Sequence, residues 1–396
     1  MGAPRIRVVF LVFYFEAWDA LAAIYQQMLV SNEFEPIVVT IPRKLTGDAD
    51  WHDEAKVSAF FDEEGIPHIR INNPDSYAGL EQLKELAPDY LFINYPWQRN
   101  YQPGYAVENL ITFTKVCYVP YFSLPLVNEP GVDGVAPHQY TQAPHRLAHM
   151  VFLRDSSVKA AFDSTDRGDH AFFTGTPKID ALIAASKTET PSWPIESKTT
   201  PGSRAFRLIW APHHSYAQRW LNFGVFTEMR EEMLAFAAAH PEIEIVMRPH
   251  PFMFGTLTDR DLMTADEVAD WRERWNALPN TALDETSSFT ALMLACDALF
   301  TDGISFIAEF PFVTKRPAIF WEKPDHWAFT PLGELAAATS IRVTNFAGFE
   351  SALKKAIEWG LPNRSAEIDA LFAAASPYPG KAAEKIIEQI RFDAGL

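Results

Sequence analysis

The sequence predicts an α/β protein made of two domains, each built on a parallel sheet covered by helices. Three observations lead to this fold class. The chain has 396 residues, more than one hydrophobic core usually supports. Short apolar runs of strand length alternate with segments of helical periodicity in both halves of the chain. Between the halves, residues 186–203 (SKTETPSWPIESKTTPGS) lose this periodicity in favour of Pro, Ser, Thr and charge, which is typical of a linker.

The N-terminal domain, predicted at residues 1–185, opens with a β-α-β pattern. The apolar run VVFLVFYF (Val8–Phe15) predicts a buried strand and is far too short to cross a bilayer. A helical segment and the run PIVVTI complete the unit. The helical face is marked by apolar residues at three-and-four spacing, Leu21, Ile24, Tyr25 and Met28. Three further apolar runs predict strands at Tyr90–Asn94, Lys115–Pro120 and Met150–Leu153.

The C-terminal domain, predicted at residues 204–365, repeats the alternation. Strand-like RLIW, EIVM, ALFT and PAIFW are separated by the helical segments TEMREEMLAFAAAH and SFTALMLA. The closing residues 366–396 are expected to form helices, with a return onto the N-terminal domain left open. Within them, KAAEKIIEQIRF places Ile386, Ile387 and Ile390 on one face, as in a packed terminal helix.

Composition narrows the class of protein. A formal charge of −17 would repel a phosphate backbone, so nucleic acid is excluded as a partner. The two cysteines, Cys117 and Cys296, are too few for a disulfide framework or a cysteine-based zinc site, which suits a reducing compartment. We therefore expect a cytoplasmic protein without an integral membrane segment, and leave open a peripheral association with the inner face of the membrane.

Polar residues follow three apolar runs of the C-terminal half, and ligands of parallel sheets bind at such strand ends. The candidates are Pro212, His213 and His214 in APHHSY, Arg248 and His250 in RPHP, and Asp302, Gly303 and Ser305 in TDGIS. Gly303 would permit a sharp turn, and Ser305 would cap a helix whose free N–H groups bind a diphosphate. Asp302 would repel phosphate, so we expect it to order the turn through neighbouring N–H groups.

Other motifs have a structural interpretation that we prefer. Asp48 and Asp50 imitate an acidic metal-binding triplet but lie in a loop-like stretch. His145 and His149 have the spacing of a zinc helix without its glutamate, so we expect no metal site. No G-x-G-x-x-G and no Walker loop occurs, which argues against dinucleotide oxidoreductases and P-loop NTPases. The aromatic residues Trp18, Tyr95, Trp97 and Tyr121 are interpreted as core, with an acceptor platform as the alternative.

Read together, several segments resemble one known family. They are RVVFLVFYFEAWDALAAIYQQ with FEPIVV, KVCYVPYF, FFTGTPKID, RLIWAPHHSY, RPHP and ACDALFTDGISFIAEFPFVTKRPAIFW. The combination resembles the CDP-glycerol glycerophosphotransferase family of teichoic-acid and capsule synthesis, over most of the chain and most strongly at residues 172–321. The resemblance implies two Rossmann-like domains facing each other across a cleft, the glycosyltransferase B fold, with donor nucleotide in the C-terminal domain and acceptor in the N-terminal one.

The same resemblance implies roles for individual residues. His250 matches the C-terminal active-site histidine, whereas Asp302, Gly303, Ser305 and Glu309 match the nucleotide- and phosphate-binding segment, in which Glu309 would hold a ribose hydroxyl. Ser287 joins these nucleotide-binding candidates. The family's N-terminal histidine motif is replaced here by YVPYFSLPL, which has no histidine. The general base therefore stays open among Glu16, Asp19 and His138, chosen by position in the acceptor domain.

The predicted function is transfer of a glycerophosphate or similar polyol-phosphate group from a CDP-activated donor to an acceptor hydroxyl, without a further cofactor and without metal. The acceptor would be a polymer, a lipid-linked molecule or a saccharide. Three alternatives remain: a glycosyltransferase using a UDP- or CMP-sugar, a sugar-nucleotide epimerase, and an inactive nucleotide-binding partner. Product analysis separates them, because they yield a phosphodiester with CMP, a glycoside, an isomer of the donor, or nothing.

Overall fold

The computed structural model describes residues 5–44, 48–122, 124–128, 141–154, 156–196, 204–217, 220–286 and 289–396. His138 and Ser287 lie outside these residues, as does the 197–203 part of the predicted linker. The chain divides into two compact units. The first consists of Met1–Leu124, Gly131–Ala181 and Ala374–Leu396, and the second of Pro125–Pro130 and Leu182–Ala373. No helix among the described residues is long and apolar enough to cross a membrane.

The first unit is built on a parallel sheet of order β3-β2-β1-β4-β5-β6-β7. Its strands are β1 (Ile6–Val12), β2 (Phe34–Thr40), β3 (His68–Arg70), β4 (Tyr90–Ile93), β5 (Lys115–Tyr118), β6 (Met150–Leu153) and β7 (Ala171–Phe173). Its helices are α1 (Asp19–Leu29), α2 (Glu54–Glu63), α3 (Ser76–Glu85), α4 (Val107–Leu110), α5 (Ala143–Leu147), α6 (Ser156–Asp163) and α7 (Pro177–Thr188), the last continuing into the second unit.

Strand β1 is apolar throughout its second half because it is buried on both faces. Successive side chains of a strand point to opposite faces. Val8 and Phe10 accordingly pack in one hydrophobic cluster, and Val9 and Leu11 in another. All four are at most 1% exposed. This two-sided burial is expected for a parallel sheet covered by helices on both faces.

The second unit repeats the plan with a six-stranded parallel sheet of order β10-β9-β8-β11-β12-β13. Its strands are β8 (Phe206–Ala211), β9 (Ile243–Met247), β10 (Thr281–Leu283), β11 (Ala298–Thr301), β12 (Ile319–Trp321) and β13 (Ile341–Val343). Its helices are α8 (Phe226–Ala239), α9 (Met253–Asp259), α10 (Ala265–Asn276), α11 (Thr290–Ala295), α12 (Phe306–Thr314), α13 (Pro331–Ala338), α14 (Phe346–Trp359) and most of α15 (Ser365–Ala375). The fold class of two parallel-sheet α/β domains is confirmed.

In both sheets the strand order reverses at one point, between β1 and β4 in the first and between β8 and β11 in the second. At such a switch point the loops leave neighbouring strands in opposite directions and open a crevice at the carboxyl ends. Three of the polar segments singled out in the sequence follow β8, β9 and β11. The second sheet therefore brings them to one edge.

The unit boundaries differ from the predicted domain limits. Helix α7 runs through Thr188, three residues into the predicted linker, and the boundary falls inside it, between Ala181 and Leu182. The segment 125–130 belongs to the second unit, where Thr330 donates its hydroxyl to Pro125 O at 2.7 Å. A Cβ on Gly333 would lie 1.8 Å from Leu126 O, so this close approach requires glycine.

The last helix, α16 (Ala382–Ala394), belongs to the first unit and packs on α1. Its apolar face is the predicted one, with Ile386, Ile387 and Ile390 at most 3% exposed. The Asp393 carboxylate accepts hydrogen bonds from the Tyr90 hydroxyl and the Lys115 ammonium, at 2.6 and 2.7 Å. These contacts tie the C-terminus to the first sheet. Helix α15, predicted to belong with α16, lies mostly in the second unit.

Candidate functional site

Three histidines meet at the carboxyl edge of the second sheet. His213 and His214 follow β8, and His250 follows β9. The His214 and His250 rings are stacked, with centroids 3.8 Å apart, and the His213 ring lies 4.5 Å from His214 and 5.3 Å from His250. His213 and His214 are adjacent in the sequence, and both were candidates there. The structure gathers both of them around His250.

Hydrogen bonds on the Nδ1 atoms determine which ring nitrogen carries the proton. The Phe252 backbone N–H donates to His250 Nδ1 at 3.2 Å, and the Ser215 backbone N–H donates to His213 Nδ1 at 3.3 Å. The Ser215 hydroxyl, 2.8 Å from His213 Nδ1, accepts the Phe223 N–H and can therefore donate its own proton to that ring. With Nδ1 accepting, a neutral imidazole carries its proton on Nε2.

The three rings are neutral at physiological pH. Burial lowers the pKa of His213 and His250 well below 6.5, and the neighbouring His214 lowers both further. Burial, with a smaller contribution from Arg260, lowers the pKa of His214 to about 4. His213 and His250 thus present uncharged Nε2–H donors.

The same protonation argues against a metal site. One ring nitrogen from each histidine lies within 4.8 Å of the other two, close enough to consider a shared ion. A metal ligand needs a free nitrogen lone pair, and at His213 and His250 the Nδ1 lone pair is already engaged while Nε2 carries a proton. This chemistry favours an anion over a cation.

The residues before α12 contact His213 through Gly303, but they are built differently from the prediction. Ser305 was predicted to cap the helix; its backbone is already helical (φ −68°, ψ −42°), and its side chain makes no cap hydrogen bond. Gly303 was predicted to allow a sharp turn, yet its φ is not positive. A Cβ there would lie 3.2 Å from Thr301 Oγ1 and 3.5 Å from His213 Cδ2. The His213 ring is thus in ordinary van der Waals range of this backbone, and the Thr301 hydroxyl is the closer neighbour.

Asp302 is hydrogen-bonded to the backbone on both sides of the histidine-bearing loop. Its side chain is buried, and its two carboxylate oxygens accept the backbone N–H groups of His213 and Val225, each at 2.6 Å. Burial raises its pKa to about 7, against the opposing effect of these two hydrogen bonds. Asp302 therefore contacts the loop that carries the histidines.

Arg248 and Glu309 are also held within the second unit. The Arg248 guanidinium pairs with Asp284, donates to Thr286 O at 2.8 Å and lies over the Phe289 ring at 5.4 Å. Its charge is thus compensated by a carboxylate from the loop after β10. Glu309 is buried on the first turn of α12.

The candidate bases of the first unit are both paired with cations. Glu16 lies in a short turn after β1 and accepts a hydrogen bond from Arg43 at 2.6 Å. Asp19 begins α1 and pairs with Lys178 at 3.2 Å, whereas its Oδ1 is buried without a hydrogen-bond partner among the described residues. Either carboxylate is held in one position by its partner.

The aromatic residues of the first unit divide into two groups. Trp18 is buried in the core, in edge contact with Phe61. Tyr95 and Tyr121 form a ring cluster with Trp97 at the carboxyl ends of β4 and β5, with centroids 4.9 to 5.7 Å apart. Trp97 and Tyr121 are partly exposed there.

The weaker motifs have structural partners. His145 is buried against Tyr118, and its Nδ1 has no partner among the described residues. His149 pairs with Asp393 at 2.9 Å. Asp48 lies 3.3 Å from His52. His145 and His149 therefore do not share a ligand, because His149 is paired with a residue of the C-terminal helix.

Ser215 and Phe252 were not among the residues predicted from the sequence, and their backbone and side-chain groups set the histidine protonation. Both stand two residues after the histidine they contact. A local side-chain to backbone contact at that spacing is common for turn residues. It was the one signal in the sequence that could have identified them.

No protein-family model and no curated protein matches the chain. Solved structures do match over nearly the whole length. The UDP-GlcNAc 2-epimerase from Neisseria meningitidis is 14% identical, with a TM-score of 0.61, covering 98% of this chain and 99% of that chain. MnaA from S. aureus, solved with UDP, is 14% identical with a TM-score of 0.60, covering 99% and 97%.

The wall teichoic acid polymerase TagF is likewise 14% identical, with a TM-score of 0.55, covering 98% of this chain and 89% of that chain. At such low identity the shared feature is the fold. The chain therefore has the α/β fold of the glycosyltransferase B type, and its chemistry has to be argued from its own residues.

Proposed function

We propose that the chain binds the diphosphate of a nucleotide-activated donor at the carboxyl edge of the second sheet. The observation that carries this proposal is the pair of neutral Nε2–H donors on His213 and His250, with the His213 ring packed against Gly303 just before α12. The N-terminus of a helix adds free N–H groups and the positive end of its dipole. Neutral donors and a helix start can hold phosphate without a metal ion.

We further propose that the reaction is transfer of a glycerophosphate or similar polyol-phosphate group from a CDP-linked donor. An acceptor hydroxyl attacks the β-phosphorus, the bond from that phosphorus to the bridging oxygen breaks, and CMP leaves with that oxygen. His250 stabilises the charge that develops on the leaving phosphate through its Nε2–H. The hydroxyl proton passes to a base for which Glu16, Asp19 and His138 remain the candidates. Support comes from the family resemblance of RPHP and TDGIS and from the fold shared with TagF.

A sugar-nucleotide epimerase is the second candidate function. It is favoured by one observation: this chain covers 99% of the Neisseria meningitidis epimerase at a TM-score of 0.61, against 89% of TagF at 0.55. An epimerase would use the same diphosphate site and need no separate acceptor. Only the transferase proposal needs an acceptor, which would be a polymer, a lipid-linked molecule or a saccharide.

Thermal stabilisation by CDP-glycerol, CDP-ribitol, CMP-sialic acid and UDP-GlcNAc tests the proposal. A ligand at about 100 times its dissociation constant adds roughly 2.7 kcal/mol to the free energy of unfolding. Stabilisation by CDP-linked donors, followed by release of CMP with an acceptor, is the expected result. Conversion of UDP-GlcNAc alone to an isomer would establish the epimerase, and no stabilisation by any of the four would remove the proposed site.

A further inference from the structure

One carboxylate fastens both ends of the loop that carries His213 and His214. We call residues 213–217 and 220–225, the described part of this loop, the histidine loop. Asp302 Oδ1 accepts the N–H at its first residue, His213, and Asp302 Oδ2 accepts the N–H at its last residue, Val225, each at 2.6 Å. Asp302 itself follows β11, the neighbouring strand across the switch point. Both ends of the loop are therefore held by a residue that follows a neighbouring strand, not by residues of the loop itself.

Both contacts require acceptors, and this limits which side chain can make them. An ionised carboxylate accepts on both oxygens, whereas an amide or a protonated carboxyl presents a donor on one side. An amide cannot satisfy both backbone N–H groups, and a protonated carboxyl satisfies the second only through its weakly accepting hydroxyl oxygen. We propose that Asp302 is a positioning residue whose ionised carboxylate holds the histidine loop in the conformation that binds the donor diphosphate. This inference rests on the proposed function and deepens it.

Two other sets of hydrogen bonds hold this edge, one through a threonine hydroxyl and one between backbone groups. The Thr301 hydroxyl donates to Ala211 O at 2.7 Å and accepts the Gly303 N–H at 2.8 Å. Within the loop, Gly224 N–H donates to Ser215 O at 2.7 Å. None of these hydrogen bonds depends on a group that titrates near neutral pH. The hydrogen bonds to Asp302 are therefore the ones that protonation can break.

The groups around Asp302 set the pH range of that release. Burial raises its pKa to about 7, and Lys323, which follows β12, opposes the rise. Lys323 also donates to Gly224 O at 3.3 Å and pairs with Glu228 at 3.0 Å. Tyr216, on the loop itself, has a pKa raised well above 10 by burial and by Asp302. The three histidines have lowered pKa values, so Asp302 changes charge between pH 6 and pH 8 while they stay neutral.

Calorimetric titration with CDP-glycerol between pH 6 and pH 8 tests the inference. The doubly esterified diphosphate keeps its charge over this range, so the protein alone supplies the pH dependence. If only the ionised form is competent, a pKa of about 7 makes binding about tenfold weaker at pH 6 than at pH 8. Binding of equal strength at both pH values would overturn the proposal.

Three variants separate positioning from simple destabilisation. Asp302→Asn is expected to bind weakly at both pH values, with no transition between them. Lys323→Met should move the transition to higher pH, because it removes a charge that favours the carboxylate. Thr301→Val loosens the same edge without a titrating group, so it should weaken binding and leave the midpoint in place. A wild-type midpoint in Lys323→Met, or a wild-type pH profile in Asp302→Asn, would contradict the assignment. Should Asp302→Asn fail to fold, Lys323→Met decides alone.

Hydrogen exchange of residues 213–225 tests the loop without any ligand. After correction for intrinsic rates, the protection of the His213 and Val225 amides should fall from pH 8 to pH 6 in the wild type and be low at both in Asp302→Asn. Lys354→Met, a change at a 77% exposed lysine, should behave as wild type. If CDP-glycerol does not bind but protection follows this pattern, the proposed function fails and the role of Asp302 in holding the loop stands. Amide protection that stays the same between pH 8 and pH 6 would overturn that role.

Discussion

The two units share a strand order but differ at the carboxyl edge of their sheets. At the reversal point of the first sheet the chain places paired carboxylates, Glu16 with Arg43 and Asp19 with Lys178, near a cluster of aromatic rings. At the reversal point of the second it places three neutral imidazoles and the start of a helix. The sequence at the end of β5, YVPYFSLPL, contains no histidine at all.

This difference shows that the topology selects where a ligand can bind, whereas the residues after each strand select its chemistry. Uncharged N–H donors suit phosphate oxygens, and a carboxylate held by a cation suits a hydroxyl whose proton must be oriented. From this contrast we propose a donor edge, the carboxyl edge of the second sheet, and an acceptor edge, the carboxyl edge of the first. Four experiments test it, ordered here by the size of the expected effect.

His250→Ala should have the largest effect, because His250 is proposed to stabilise charge that develops only in the transition state. We expect turnover to fall by about 10²–10³, with a much smaller change in donor affinity. Turnover and donor dissociation constant are measured separately. His240→Ala, a change at a 42% exposed histidine on the same unit, is the matched control. Near-normal turnover in His250→Ala would mean that the donor edge takes no part in catalysis.

Glu16→Gln tests the acceptor edge in the opposite way. If Glu16 is the base, turnover should fall by about 10², the lower end of the range that general base catalysis contributes, while CDP-glycerol binds as tightly as before. Asp19→Asn is the comparison, because both carboxylates are paired with a cation at the same edge. Unchanged turnover in both variants would leave His138 as the remaining candidate.

Ser215→Ala should have a moderate effect that is confined to binding. It removes the hydroxyl that contacts His213 Nδ1 and accepts the Phe223 N–H. Loss of one such hydrogen bond costs about 1 kcal/mol, which corresponds to about fivefold weaker donor binding. Titration calorimetry measures the change. An affinity equal to wild type would mean that the protonation of His213 does not depend on this hydroxyl.

A chelator should have no effect on donor binding. Neutral Nε2–H donors and a helix N-terminus are proposed to supply what a divalent ion supplies elsewhere. The thermal shift produced by CDP-glycerol should therefore be equal in excess EDTA and in buffer containing Mg²⁺. A shift that disappears in EDTA and returns with Mg²⁺ would contradict the metal-free site.

The sequence by itself determined the central strands and the apolar face of the last helix, and it singled out three polar segments that the structure brings to one sheet edge. Long apolar runs predict strands buried on both faces. β4, β6 and β11 lie within the predicted runs, and β1 and β8 overlap them. The strands it missed are β3, β7, β10 and β13, the four that form the edges of the two sheets. Each has three residues and is partly exposed, so neither length nor periodicity separates it from a loop.

Only the tertiary structure decided how the site is held together. The residue types at 213, 250 and 302 were visible in the sequence, but the stacking of His214 on His250 depends on two strands lying side by side. The bonds from Asp302 span 89 and 77 residues along the chain. The membership of segment 125–130 in the second unit likewise rests on contacts about 200 residues apart. Local propensity carries no information about such contacts, because they exist only once the two sheets have formed.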